Sequence, residues 1–383
     1  MKYNLSDICE YAKGKIDVAV LDEDTYISTE NMMPNKGGIT SASSLPTVAQ
    51  TQSFSSGDVL VSNIRPYFKK IWFAEYDGGC SNDVLVFRAK DGVSKRFLYY
   101  VLADDAFFDY SMATSKGTKM PRGDKAAIMK YEVPDFTYEE QEKIAGILEV
   151  LDRKIQLNTE INDNLYVQVR TLTKQWITEN SSDYELLPLA KIASINPDTY
   201  SPKEEWEYVN YLDTSNITDG CIAEIQHITP SIEKLPSRAR RKIAPNDVVF
   251  STVRPNQRHF GILNDPMPNM LGSTGFAVIR SNHPLVSNEL IYLCLTENEF
   301  IEKMQQLAEQ STSTFPSIKP SDLGVCEIPC PKDNASKDFT EMLKSMFALI
   351  AENQRENISL ATIRDTLLPK LMCGALDVSN IQF

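Results

Sequence analysis

The stretch from Gln141 to Trp176 constrains this chain more than any other. Ile144, Leu148, Leu151, Ile155, Asn158, Asn162, Leu165, Val169, Leu172 and Trp176 follow one another in alternating steps of four and three. A repeat averaging 3.5 residues is the seam of a coiled coil. Thr137, three residues before Glu140, supplies a capping box at the start, and Asn180-Ser181-Ser182 supplies a stop. At about 1.5 Å per residue, the run makes a helix roughly 50 Å long.

Adding 195 to each number gives Phe339, Leu343, Met346, Ile350, Asn353, Asn357, Leu360, Arg364, Leu367 and Leu371. Any two amphipathic helices share leucines. Two asparagines at the same two seam positions mark a duplication instead. Asparagine in a seam costs stability and fixes register. If the helices pair antiparallel, Asn158 faces Asn357 and Asn162 faces Asn353. Ile155 then meets Leu360, Leu165 meets Ile350, Leu172 meets Leu343 and Trp176 meets Phe339. Leu151 meets Arg364, within reach of Asp152.

The segments between the helices repeat as well. Gly57-Asp58-Val59-Leu60 is echoed by Asn246-Asp247-Val248-Val249, and Ser62-Asn63-Ile64-Arg65-Pro66 by Ser251-Thr252-Val253-Arg254-Pro255. A strand ending in Arg88 is echoed by one ending in Arg280. A helix predicted over Arg96 to Phe108 is echoed around Tyr292 and Phe300, and the loop ending in Pro121 by the one ending in Pro316. Asn196 to Ile243 matches the residues before Ser56 poorly. Gly57-Asp58 and Asn246-Asp247 read as turns before strands. The expected fold is therefore α+β, with an internal pseudo-two-fold repeat. Two similar mixed α/β domains, 1–136 and 181–333, are separated by two long antiparallel coiled-coil helices, 137–180 and 334–383.

Catalytic patterns are missing. There is no Asn-Pro-Pro-aromatic or Asp-Pro-Pro-aromatic motif, no phosphate-binding glycine loop and no HExxH. The seven cysteines form no CxxC pair and there are three histidines, so neither a zinc site nor a disulfide framework is expected. The opening residues do not read as a signal peptide, and no apolar run is long enough to span a membrane. A cytoplasmic location is the expectation.

The net charge is −13, so a basic footprint for nucleic acid has to be local. The clusters are Arg65 with Lys69 and Lys70; Lys116, Lys119, Arg122 and Lys125; Arg238, Arg240, Arg241 and Lys242; and Arg254 with Arg258. Taken alone, each is as readily a solvated face.

Two motifs resemble a known family. Val133-Pro134-Asp135-Phe136 followed by Glu140-Gln141-Glu142-Lys143-Ile144-Ala145 is similar to the strand-to-helix junction of type I restriction–modification specificity subunits. The ending Arg364 to Leu376, with Leu367-Leu368-Pro369-Lys370-Leu371, is similar to theirs too. The junction departs from the family pattern in both halves, most in Ile328-Pro329-Cys330-Pro331. The resemblance implies a subunit with no catalytic residues and no metal of its own. Each of its target-recognition domains reads one half of a split site in double-stranded DNA, and its helices set the gap. The implied partners are two methyltransferase (modification) subunits, which carry AdoMet and methylate adenine, and a restriction/translocase subunit, which brings ATP and Mg. Roles in DNA binding are assigned to Arg65, Lys69, Lys70, Lys116, Thr118, Lys119 and Arg122 in the first domain. In the second they fall to Arg238, Arg240, Arg241, Arg254, Gln257, Arg258 and Thr312. The pairing of the helices is assigned to Ile155, Asn158, Asn162, Leu165, Ile350, Asn353, Asn357 and Leu360. The Arg65-Pro66 and Arg254-Pro255 pairs also read as a structural corner. A two-headed protein-binding adaptor with a coiled-coil strut is the competing function.

Overall fold

The computed structural model describes residues 2–311, 315–332 and 337–378. Contacts divide the chain into two compact units, one formed by 1–157 with 356–383, the other by 158–355. The two seams form single unbroken helices, Tyr138–Glu179 of 42 residues and Lys337–Met372 of 36 residues. At about 1.5 Å per residue these are roughly 60 and 50 Å long. Each helix contributes to both units. At the start of the first, Thr137 and Glu140 form the capping box: the Thr137 N–H donates to Glu140 Oε2 at 2.8 Å, and the Glu140 N–H to Thr137 Oγ1 at 3.3 Å.

In the first unit, Val59–Ser62 lies between Val84–Ala89 and Ile71–Phe73, and Cys9–Tyr11 closes the far edge, all antiparallel. Val59, Val61, Leu85 and Phe87 turn one face of this sheet onto the helices Lys95–Ala103 and Asp105–Ala113. The same core takes in Ile144 and Leu148 from the first long helix and Leu368 and Leu371 from the second. Arg364 Nη1 meets Asp152 Oδ1 at 2.8 Å and Lys154 meets Glu356 at 3.1 Å, so within this unit the helix segments run in opposite directions.

The second unit repeats the plan. Asp247–Ser251 lies between Phe276–Ser281 and Phe260–Leu263, with Ala193–Ile195 at the far edge. Its core joins Val248, Phe250 and Tyr292 to Val169, Leu343 and Phe347 of the long helices. Asn353 Nδ2 donates to Asn162 Oδ1 at 2.8 Å, Asn162 Nδ2 donates to the Ile350 carbonyl at 3.3 Å, and Trp176 stacks on Phe339 with centroids 4.6 Å apart. These segments are antiparallel as well. Phe347 is almost fully buried while the seam residue Met346 is half-buried. Besides the seam, the helix carries a second apolar face that packs on its own unit's core.

One element departs from expectation. The helix over Arg96 to Phe108 is two helices, broken at Asp104, whose backbone is extended and whose side chain accepts from the Ala106 N–H at 3.1 Å. A short acidic side chain competes for backbone donors and so caps a new helix in preference to continuing the old one. In the second unit the break recurs between Asn288–Leu295 and Asn298–Glu309.

The poorly matching stretch has a topological cause. Each unit has a second four-stranded sheet in which a parallel pair is flanked by an antiparallel strand. The first unit uses Tyr26–Ile27, Gly78–Cys80 and Gln50–Phe54, the second Val209–Leu212, Met270–Ser273 and Ala239–Lys242. The fourth strand is added at opposite edges: Lys15–Asp17 beside Gln50–Phe54, but Gln226–His227–Ile228 beside Val209–Leu212.

Candidate nucleic-acid interface

The site is built from a corner that both units share. Ser62 ends a buried strand, and its hydroxyl donates to the Ile64 carbonyl at 3.1 Å; Ser251 does the same to Val253 at 2.8 Å. Arg65 and Arg254 then enter the left-handed region at φ 50° and 48°. Pro66–Phe68 and Pro255–Gln257 each make one 3-10 turn, and Lys69 and Arg258 are left-handed again at φ 50° and 57°. Proline suits the first turn position because its φ is already fixed there and no N–H is needed. The Arg65 N–H donates to the Pro121 carbonyl at 2.8 Å and the Arg254 N–H to Pro316 at 2.9 Å. Pro121 and Pro316 are thereby held against the corner.

An ion pair between a buried carboxylate and a partly exposed arginine anchors the strand that leads to each corner. Asp58 immediately precedes this strand in the first unit and Asp247 opens it in the second, their side chains 4% and 0% exposed. Arg88 Nη2 meets Asp58 Oδ2 at 2.6 Å and Arg280 Nε meets Asp247 Oδ1 at 2.7 Å. The Asp58 and Asp247 carboxylates also accept from the Ser55 and Ala244 N–H groups, each at 2.8 Å. Both partners are visible as separate echoes in the sequence; the pairing itself becomes evident only when the two strands lie side by side.

Around the first corner, Lys116 and Arg122 exchange two backbone hydrogen bonds of 2.9 Å, which close the loop bearing the exposed Thr118 and Lys119. Lys116 Nζ lies 2.6 Å from Asp124 on a side chain that is 82% exposed, and Arg122 lies 3.1 Å from Asp83. Lys69 Nζ is 2.8 Å from Asp105, which also holds Lys36 at 3.0 Å. Burial opposes the Asp105 charge, but bonds from Lys69 and Lys36 outweigh it and hold the carboxyl below its usual range. Lys70 points inward, donating to the Thr29 carbonyl at 2.6 Å, and burial lowers its affinity for the proton. Arg65 Nε is buried and makes no hydrogen bond. Arg65, Lys69, Lys116, Thr118, Lys119 and Arg122 are thus brought to one corner, which Lys36 joins without a signal in the sequence, because it lies in a separate turn at Asn35–Lys36. Lys70 is turned away.

Around the second corner, the Arg254 guanidinium covers the Phe315 ring at 4.9 Å. Arg258 is drawn aside, its Nε 2.7 Å from Asp219 and its Nη1 2.9 Å from Asn298 Oδ1. This repeats the Lys69–Asp105 tie, since Asp105 and Asn298 each open the second short helix. Gln257 is exposed at the end of the turn. Arg238, Arg240 and Arg241 lie on or beside the edge strand Ala239–Lys242; the Arg240 Nε donates to the Ser237 carbonyl at 3.2 Å, and the Arg241 Nε is buried without a hydrogen bond. Thr312 lies outside the described residues. No group of three or more His, Cys, Asp or Glu side chains suited to a metal occurs among the described residues.

Comparison with known proteins places this architecture. The family model "Type I restriction modification DNA specificity domain" matches residues 1–166. The HindI type I restriction enzyme specificity subunit of Haemophilus influenzae is 23% identical, over 98% of this chain and 99% of its own length. The MjaVIII type I restriction enzyme specificity subunit of Methanocaldococcus jannaschii is 24% identical, over 99% of this chain and 93% of its own. Among solved structures, the S subunit of a type I restriction-modification system from M. genitalium shares the fold with a TM-score of 0.56 at 17% identity, covering 97% of this chain and 96% of that one. The family match covers the first globular segment, the second unit repeats its main sheet and its corner, and the relatives align end to end: over its whole length the chain is similar to the specificity subunits of type I restriction–modification systems.

Proposed function

We propose that this chain is the non-catalytic DNA-specificity subunit of a type I restriction–modification complex, with each unit reading one half of a bipartite target in double-stranded DNA. The observation that carries the reading is the duplication of an arginine-bearing corner on two copies of one sheet plan. Two similar but unequal readers on one chain suit a split, asymmetric target. Segments 1–136 and 181–333 are the readers; the helices of 137–180 and 334–383 set the gap and dock two methyltransferase subunits. AdoMet, and with a restriction/translocase subunit ATP and Mg, belong to those partners. No helix among the described residues is long and apolar enough to cross a membrane.

The assignment of DNA contacts divides by what each side chain is doing. Arg65, Lys116, Thr118, Lys119 and Arg122 in the first reader, and Arg238, Arg240, Arg241, Arg254, Gln257 and Thr312 in the second, are the proposed contacts with phosphates and base edges. Lys69, Lys70 and Arg258 are the less exposed and reach DNA only by leaving their present partners, whereas Lys116 and Arg122 keep exposed side chains beside Asp124 and Asp83. The test is to co-express the chain with its methyltransferase subunit and map methylated adenines. An asymmetric bipartite motif is expected, with no methylation by the chain alone. Methylation by the chain alone, or a single uninterrupted motif, would overturn the reading.

A further inference from the structure

The two corners share one backbone and differ in what they display. From Ser62 to Lys70 and from Ser251 to His259, the left-handed arginine, the proline turn, the second left-handed residue and their hydrogen bonds correspond one to one. Non-glycine residues in the left-handed region are strained, and such strain persists where the surroundings enforce it. Here four residues bear it, two in each copy. What the turn displays has diverged completely. In the first unit it is Tyr67 and Phe68, 49% and 38% exposed, their rings packed on each other at 4.7 Å. In the second it is Asn256 and Gln257, both exposed.

From this juxtaposition we infer that the two pairs of turn residues, Tyr67-Phe68 and Asn256-Gln257, are the specificity-determining elements of the two readers, presented to base edges by the corner that both units share. The inference rests on the reading of the chain as a DNA-specificity subunit. The chemistry of each pair suits that role. Carboxamides can pair bidentately with the N6 and N7 of adenine in the major groove, while aromatic rings have no such code and instead contact the thymine methyl or wedge between base steps. A constant scaffold with variable tips gives a duplicated reader two different half-sites. Two exposed aromatic rings beside the cationic Lys116–Arg122 loop also complement a nucleic acid, with its stacked bases inside a phosphate shell.

The test uses the full chain assembled with its methyltransferase subunit. Tyr67→Asn with Phe68→Gln places the second turn's residues on the first, and Asn256→Ala with Gln257→Ala empties the second. Each variant is expected to lower methylation of the original target by at least about five-fold, the discrimination of one good base contact. Each should also relax or change one half of the motif and leave the other half intact. Ile232→Ala, at an exposed position outside both turns in the sequence, should leave both halves unchanged. Folding and assembly are checked by thermal melting and by size-exclusion chromatography of the complex. A folded, assembled variant that methylates the original motif unchanged, or loses rate equally on every sequence, would overturn the inference while sparing the function. Loss of assembly would make the turn a protein contact and overturn it too. A wild-type complex that yields no bipartite motif would overturn the function itself, and the inference with it.

Discussion

Asp58 is an example of a side chain whose importance comes entirely from what surrounds it. Its carboxylate is buried, paired with Arg88 and bonded to the Ser55 N–H. Asp58→Ala leaves a guanidinium and a backbone donor without their acceptor, so the first unit should lose about 3 kcal/mol, toward the low end for broken buried pairs because Arg88 stays partly in water. Urea denaturation checks this; a loss below about 1 kcal/mol would contradict it. Asp105 makes a prediction in pH. Its native pKa is depressed, so its stabilising contribution is complete above the ordinary aspartate value of about 3.9 and is lost as pH falls through the lower native value. The difference in urea midpoint between the wild type and Asp105→Asn should be largest near about pH 6 and shrink below about pH 4. A difference that grows on acidification would contradict it. The basic loop predicts a contrast in DNA binding. Lys119→Ala with Arg122→Ala should weaken the assembled complex on its target more than Lys191→Ala with Lys203→Ala, and should lower the salt slope by about one for each phosphate no longer neutralised. Equal effects would make the loop a solvated surface. The basic residues themselves stand out in the sequence. Which of their head groups are occupied does not, because the partners Asp105, Asp124 and Asp219 come from other elements and only folding brings them close.

The helices are the most legible elements, because few structures besides a coiled coil sustain a 3.5-residue period over ten positions. Their second buried face is not legible. Phe347 and Tyr166 pack edge-to-face at 5.9 Å, and Phe347 meets Tyr292 of the globular core at the same distance. Sequence periodicity records that a helix is apolar on two sides but not what lies against each. The break at Asp104 is hidden for a related reason: Phe97, Tyr100, Val101 and Phe108 keep helical spacing across it, and one side chain's capping bond decides the outcome. The Asn162–Asn353 layer offers a test at this scale. Asn162→Ala removes the acceptor of a buried amide and should cost about 1–3 kcal/mol, whereas Asn162→Leu with Asn353→Leu, which leaves neither amide unpaired, should recover most of that loss while weakening register. Thermal melts of the two variants compare them. A double variant no more stable than the single one would contradict the layer's role.

For the whole molecule, the duplication is readable wherever the backbone is unusual: the arginine–proline corner, the turns at Asp58 and Asp247, and the asparagines. It fades over Asn196 to Ile243 because the second sheets add their fourth strands at opposite edges, which no residue-by-residue match can register. The two units are joined in sequence through the long helices, at Leu157–Asn158 and Arg355–Glu356. Two readers joined by these helices should address two half-sites at a fixed gap. The decisive experiment inserts one heptad into both helices at those two points, preserving the seam, and maps methylated adenines in cells carrying the chain with its methyltransferase subunit. Seven residues lengthen a helix by about 10 Å and turn it by only about 20° from phase, against about 3.4 Å of rise per base pair. Both half-site sequences should stay as they are while the gap between them grows by about three base pairs. An unchanged gap in the elongated, folded protein, or altered half-sites from untouched readers, would show that the helices do not set the spacing.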